Sequence, residues 1–128
     1  MKGAAPRVLV VSADQWPRAL LRAELRNAGY DAIGATTLAR ALRHPPTDAE
    51  RGLVRLIIVD DQAVTADPTS LERARRQYPG ALFVLVHRPR AAPAGPWAAT
   101  LPRPVAIGEI VAAVRQLAPP QREGSLLG

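Results

Sequence analysis

Short apolar runs alternate with amphipathic stretches along this chain, at the lengths of strands and helices. Arg7-Val8-Leu9-Val10-Val11 has no polar side chain after its first residue, and it opens into Ser12-Ala13-Asp14. Leu53 to Val59 is a second run, apolar apart from Arg55, and it ends in Asp60-Asp61. Ala81 to Val86 is a third. Runs that are apolar on both faces predict strands buried inside a parallel sheet. Tyr30 to Gly34 and Trp97 to Leu101 read as two shorter strands.

Between the strands the period changes to that of a helix. Leu21, Leu25 and Ala28 recur on one side of a segment that Asp14 is placed to cap. Pro17 falls in its first turn, where a missing N–H costs nothing, and Gly29 stops it. Leu38 to Arg43 predicts a small helix ended by Pro45-Pro46, and Thr47 to Gly52 a polar loop. After a turn at Asp67-Pro68, Thr69 or Ser70 is expected to cap a helix running to about Tyr78, which Pro79-Gly80 ends. Ile107 to Leu117 predicts a last helix with Ile110, Val111 and Val114 inward. Strands alternating with helices make an α/β fold, a parallel sheet with helices on both faces. One piece breaks the pattern: His87 to Pro96 holds three prolines, too many for a helix of that length, so the fourth helix is expected to be missing or reduced to a turn.

At 128 residues the expectation is one domain over residues 1–118, with residues 119–128 a mobile tail. The absence of cysteine excludes disulfides and thiolate metal sites, and His44 and His87 alone give little for a transition metal. No apolar stretch approaches the roughly 20 residues of a membrane span, and Met1 to Pro6 lack a secretory apolar region. A cytoplasmic protein without membrane contact is expected. The net charge of +6 favours anionic partners. Sixteen of the 17 basic residues are Arg, among abundant Ala and Pro, a bias that fits a GC-rich genome and weakens the case for nucleic acid.

Several pieces, in order, carry a resemblance to a known family. They are Val8 to Val11 leading into Ser12-Ala13-Asp14, Arg18-Ala19-Leu20-Leu21-Arg22, Asn27-Ala28-Gly29-Tyr30, Leu56 to Asp60, Val84-Leu85-Val86-His87 and Leu101-Pro102-Arg103-Pro104. From Arg7 to about Leu117 the chain resembles the receiver domain of bacterial two-component response regulators, the CheY-like domains. The resemblance implies a flavodoxin-like, doubly wound, five-stranded parallel sheet of order 2-1-3-4-5.

It also assigns positions. Asp60 falls where receivers keep the aspartate that accepts a phosphoryl group, and Ser12 and Ala13 where they keep two acids that hold Mg²⁺. Ala13 offers no ligand and Ser12 at most a hydroxyl. Asp14 comes one place late for that role. Val86 stands where a Thr or Ser hydroxyl meets the phosphoryl group. Arg103-Pro104 replaces a Lys-Pro pair whose peptide bond is usually cis. Arg keeps the charge with a different shape and reach. The pattern is that of a pseudo-receiver, with Asp60 a vestigial phosphoacceptor and Ser12, Ala13, Asp14, Val86, Arg103 and Pro104 a vestigial pocket. An approach of Arg103 to Asp60 would mimic the phosphorylated arrangement without phosphate.

Other residues divide between two roles. Asp61, next to Asp60 on a strand, is expected to face the loop. Trp16 falls near the mouth of the site, as a plug or as a partly exposed aromatic. Arg18, Arg22 and Arg26 form a stripe that reads as a solvated face or a contact face, and Arg73, Arg75 and Arg76 read the same way. In receivers the fourth helix, last strand and last helix make the output face. The segment that replaces the helix, with Arg88, Pro89, Arg90, Pro93, Pro96 and Trp97, is therefore the expected interaction surface. Together these features predict a non-enzymatic, phosphorylation-independent signalling module, without cofactor or metal, whose partner is another protein: a signalling protein, a separate output module or a second copy. One alternative is a receiver still phosphorylated on Asp60 through atypical metal coordination. Another is a basic nucleic-acid-binding accessory protein.

Overall fold

The structure, a computed structural model, describes residues 5–90 and 92–120, the side chain of Trp16 excepted. Of the expected tail at residues 119–128, residues 121–128 lie outside the described residues, as does the side-chain role of Trp16. The elements are β1 (Arg7–Val11), α1 (Gln15–Asn27), β2 (Asp31–Ala35), α2 (Leu38–Ala41), β3 (Thr47–Asp48), β4 (Gly52–Asp60), α3 (Asp61–Ala66), α4 (Pro68–Gln77), β5 (Leu82–His87), β6 (Trp97–Pro102) and α5 (Ile107–Leu117). Five parallel strands run in the order β2-β1-β4-β5-β6, which is 2-1-3-4-5 once the two-residue β3 is set aside. All five residues of β1 are buried, as are the last five of β4 and of β5.

Alternation along each strand divides the core in two. Val8, Val10, Leu56, Ile58, Val84 and Val86 meet Leu21 and Leu25 of α1 and Ile110 and Val114 of α5. Leu9, Val11, Ile57, Val59, Phe83 and Leu85 meet Leu38 of α2, Val64 of α3, and Leu71 and Ala74 of α4. Helical residues spaced three and four apart supply one buried stripe per helix.

Three local expectations are corrected. The stretch after Asp60 is a helix, α3, because the Asp60 carboxylate accepts the Ala63 amide and caps it. The next helix begins earlier than expected: Asp67, rather than Thr69 or Ser70, caps α4, with its Oδ1 3.1 Å from the Ser70 amide and Pro68 at the first helical position. The polar stretch after Pro46 contains β3, antiparallel to β4. Its tight return is held by Asp48 Oδ1, which accepts the amides of Glu50 and Arg51.

The amino end of the sheet holds a polar network that the apolar pattern concealed. Arg7 is buried, with Nη1 donating to the carbonyls of Pro45 and Gly52. The Tyr78 hydroxyl donates to the carbonyl of Ala41 at 3.0 Å and also contacts that of His44. Burial pushes the Tyr78 phenol up. Arg51 grips Asp31 with two nitrogens, at 2.9 and 2.7 Å, and holds that carboxyl below its usual range.

No helix is present among the described residues between β5 and β6; residues 89 and 90 form a turn. Trp97 takes part of the missing cover. A bulge in the β5–β6 pairing sets Trp97 opposite Phe83 and Ala99 opposite Val84, leaving Ala98 as the extra residue. The shift turns the indole toward the Phe83 side of the core, where it packs half-buried with Nε1 donating to Pro93 O at 2.8 Å. Gly95 lies against the ring: a Cβ there would stand 2.6 Å from Cε2 and Cζ2 of Trp97.

Tyr78→Phe leaves buried carbonyls short of a donor and is expected to cost about 1–2 kcal/mol in urea denaturation. Gly95→Ala should force the indole off its seat at a cost of about 1–3 kcal/mol, with a red-shifted Trp97 emission in a Trp16→Phe background. An unshifted spectrum would mean that the loop does not hold the ring.

Candidate functional site

Parallel strands end where helices begin, and the polar residues at that edge make the candidate site. Val11 pairs with Val59 and Asp60 with Val86, so Ser12, Asp60 and Val86 reach the same level of the sheet edge.

Asp60 is 4% exposed. Its Oδ1 accepts the Ala63 amide at 2.8 Å. Its Oδ2 is buried without a hydrogen-bond partner, and Nη2 of Arg103 stands 4.0 Å away. That is a long ion pair, beyond hydrogen-bond reach. Arg103 is partly exposed, its amide donates to His87 O at 2.7 Å, and the Arg103–Pro104 peptide is cis.

Asp61 departs from expectation. It is 1% exposed rather than loop-facing, because the chain turns into α3 at this residue instead of continuing as a strand. Its Oδ2 accepts Nε of Arg88 at 2.9 Å and the Arg88 amide at 3.4 Å. Burial alone would push this carboxyl up; the hydrogen bonds and charge of Arg88 outweigh burial and hold it below the usual carboxylate range.

On β1 the arrangement is different. The Ser12 hydroxyl accepts the Asp14 amide at 3.3 Å, and the Ser12 carbonyl accepts Nη1 of Arg18 at 2.6 Å. Ala13 and Asp14 are exposed. Asp14 occupies the N-cap position of α1 without a side-chain cap bond, contrary to expectation. Pro17, third in the helix, has no N–H to give it.

Beside Asp60 lies a cavity of about 40 Å³, with Ser12, Arg18 and Arg103 on its polar side and Pro17, Val86 and Ile107 among its apolar walls. That is room for about one water molecule. The residues present do not fit the Mg²⁺ of a receiver. Asp60 has one oxygen on an amide, Asp61 is turned to Arg88, and a guanidinium lies on the Ser12 carbonyl. No group of three acids or histidines suited to a metal occurs among the described residues.

In the stripe Arg18, Arg22 and Arg26 the first two are half-buried against β2, and Arg26 is exposed. Built on Gly34 of the edge strand β2, a Cβ would stand 2.8 Å from Cδ of Arg22 and 3.2 Å from Cδ of Arg18. Arg26 Nε donates to Ala32 O at 3.4 Å. The stems of Arg18 and Arg22 therefore lie over Gly34, on the face of β2 that packs against α1. In the segment that replaces the helix, Arg88, Pro89, Arg90 and Pro96 are exposed and Pro93 is half-buried. Arg90 adopts φ +61°, the left-handed turn that leads away from Arg88.

Sequence reasoning missed the Asp61–Arg88 pair and the contact of Arg18 with Ser12. A signal for the first was available: an aspartate that caps a helix places the next residue in its first turn, on a new side of the chain.

No family model and no curated protein matches the chain. Solved structures do. The signal receiver domain of an HD domain-containing protein from Pseudomonas fluorescens Pf-5 is 25% identical, over 88% of this chain and 93% of that one, with a TM-score of 0.68. The receiver domain of the hybrid histidine kinase CckA is 25% identical, over 87% and 97%, also with 0.68. The non-phosphorylated HemR receiver domain from Leptospira biflexa is 19% identical, over 88% and 93%, with 0.69. In strand order, in the placing of its helices and in these likenesses, the chain has the fold of the CheY-like response regulator receiver domains.

Proposed function

We propose that the chain is a receiver-fold signalling module that works by binding another protein, without phosphorylation of Asp60 and without catalysis of its own. What carries the reading is how the groups around Asp60 are already engaged. Asp61, the neighbouring carboxylate, is held by Arg88, and Arg18 and Arg103 line the polar side of the cavity. A divalent ion brought there would meet two guanidinium groups and one free carboxylate oxygen, too little negative charge to offset a phosphoryl donor. Val86 supplies no hydroxyl to follow a phosphoryl group if one formed. On this reading Ser12, Val86 and Arg103 line a pocket that no longer switches, and the exposed Ala13, Asp14 and Pro104 stand outside its lining. Arg88, Pro89, Arg90, Pro93, Pro96 and Trp97 are the working surface, tied back to the fold by the Asp61–Arg88 pair.

One observation favours a second reading. The Asp60 Oδ2 is without a hydrogen-bond partner and has Arg103 nearby, as a phosphoacceptor would. Amide NMR with Mg²⁺ and beryllofluoride, a phosphoryl mimic, separates the two. The resonances of Asp60, Val86 and Arg103 are expected to stay in place; saturable shifts there would sink phosphorylation independence.

The anchoring of the loop is tested by pH. A carboxyl whose folded pKa is depressed adds stability above its unfolded value of about 3.9 and loses it as the pH falls through the folded value. The intact protein should therefore lose the contribution of Asp61 below about pH 4. In Arg88→Met the same buried carboxyl has no cation, so its folded pKa moves up and the sign reverses. The variant is expected to be about 1–2 kcal/mol less stable at pH 7, less than for a fully buried pair because Arg88 is half-exposed. The deficit should shrink on acidification. Parallel stability curves from pH 7 to 3 would show that the pair is not formed in solution.

A further inference from the structure

We infer that the free edge of β6, open where a receiver's fourth helix would stand, accepts an extended acidic segment of a partner protein as an added strand. The inference rests on the protein-binding reading above and names the chemistry of the partner.

Among the described residues the edge is unpaired and nearly unguarded. Within the sheet β6 pairs with β5 alone. The Arg103 amide donates to His87 O, which sets the phase of the ladder. In a parallel pair alternate residues face the same neighbour, so Leu101 and Arg103 face β5 while Thr100 and Pro102 turn their backbone groups outward. Ala98, Thr100 and Pro102 are exposed, and the strand Trp97–Pro102 carries no charge. Edge strands are usually guarded by charges, by prolines or by a covering element. Of these devices β6 has one proline, at its end.

Charge names the occupant. Residues 73–108 hold six arginines and no carboxylate, which accounts for the whole net charge of +6; the remaining residues carry eleven cations and eleven carboxylates. Three of the six, Arg88, Arg90 and Arg103, stand at the carboxyl end of β5 and β6; Arg88 and Arg103 face the buried Asp61 and Asp60, and the exposed Arg90 adds a further cation to that end. A strand bearing acids would complete the backbone ladder and meet those cations. A second copy would bring like charge against like. A nucleic acid has no amide ladder to give the edge.

The test is an NMR titration with an alternating Glu-Val peptide of strand length, beside its Lys-Val counterpart. Expected are saturable shifts and slowed exchange at the Thr100 amide with the acidic peptide, weakening with salt, and none with the basic one. Thr100→Pro deletes an outward N–H without removing a bond to β5, and should weaken binding about tenfold. Arg90→Asp, a residue type that tolerates the left-handed turn, should weaken it severalfold with the strand untouched. Shifts that miss β6, or binding indifferent to both substitutions, would overturn the inference. So would a preference for duplex DNA over the peptide, or self-association of the protein through β6 in sedimentation. If the peptide fails while beryllofluoride leaves Asp60 unmoved, the edge is wrong and phosphorylation independence stands; a beryllofluoride response overturns the latter whatever the peptide does.

Discussion

A carboxylate carried into the interior by a buried strand must find donors there, and β4 ends by carrying two of them, side by side. The surroundings of Asp60 and Asp61 answer that demand in different ways. Asp60 turns the chain into a helix and spends one oxygen on the Ala63 amide. Asp61, placed on a new side of the chain by that turn, is satisfied by Arg88 from the far end of β5. The start of α3, the exit of β5 and the direction of the segment after it thus follow from two desolvated acids. Remove either solution and the cost falls on a buried charge rather than on a surface contact.

Cations of a different kind occupy the same end of the sheet. In a receiver the charge of clustered acids is offset by a bound metal that comes and goes. Here Ser12 and Ala13 offer no carboxylate; Arg18 of α1 lies on the Ser12 carbonyl, and Arg103 after β6 stands 4.0 Å from the Asp60 oxygen left over. These cations are covalently part of the chain, so their charge is present at all times. On the reading proposed above, guanidinium groups in place of a metal leave the site no metal-dependent step by which to change state. On that reading phosphorylation independence rests on this arrangement, and attention turns to surfaces rather than to the pocket.

The legible part of the sequence was its buried backbone. Apolar runs on β1, β4 and β5 could be read because burial on both faces leaves few alternatives, and α5 because Ile110 and Val114 sit one turn apart. Polar side chains that satisfy backbone groups were not legible in the same way. Asp67 and Thr69 are both good caps, and only the position of Pro68 in the first turn separates them. Asp14 looked like a cap until Pro17 removed one of its donors. Arg7 read as the polar start of a strand, yet its guanidinium is buried on two carbonyls 38 and 45 residues away. The arginine stripe on α1 resembled a solvated face because periodicity tells which residues share a side, not what lies opposite; Gly34, which leaves room for the stems, belongs to another element. Contacts between distant segments are set by the sheet, and a single sequence carries little trace of them.

The segment between β5 and β6 is where decay and remodelling can be told apart. Loss of a helix from a degenerating domain would leave core residues exposed and a loop held by nothing in particular. Phe83 and Leu85 are instead buried, and Trp97 reaches the same side of the core through a one-residue bulge. The indole is pinned by the Pro93 carbonyl and needs a glycine against its face. At the other end Arg88 ties the segment to Asp61. Each contact requires a particular residue type, and they act on both ends of the same stretch. Yet the repair is partial: it seals the core beneath Trp97 and stops short of Thr100, whose backbone faces solvent along an uncharged edge. A fold that closes one half of a gap with specific chemistry and leaves the adjoining strand bare, beside Arg88, Arg90 and Arg103, has the form that the proposed interface requires.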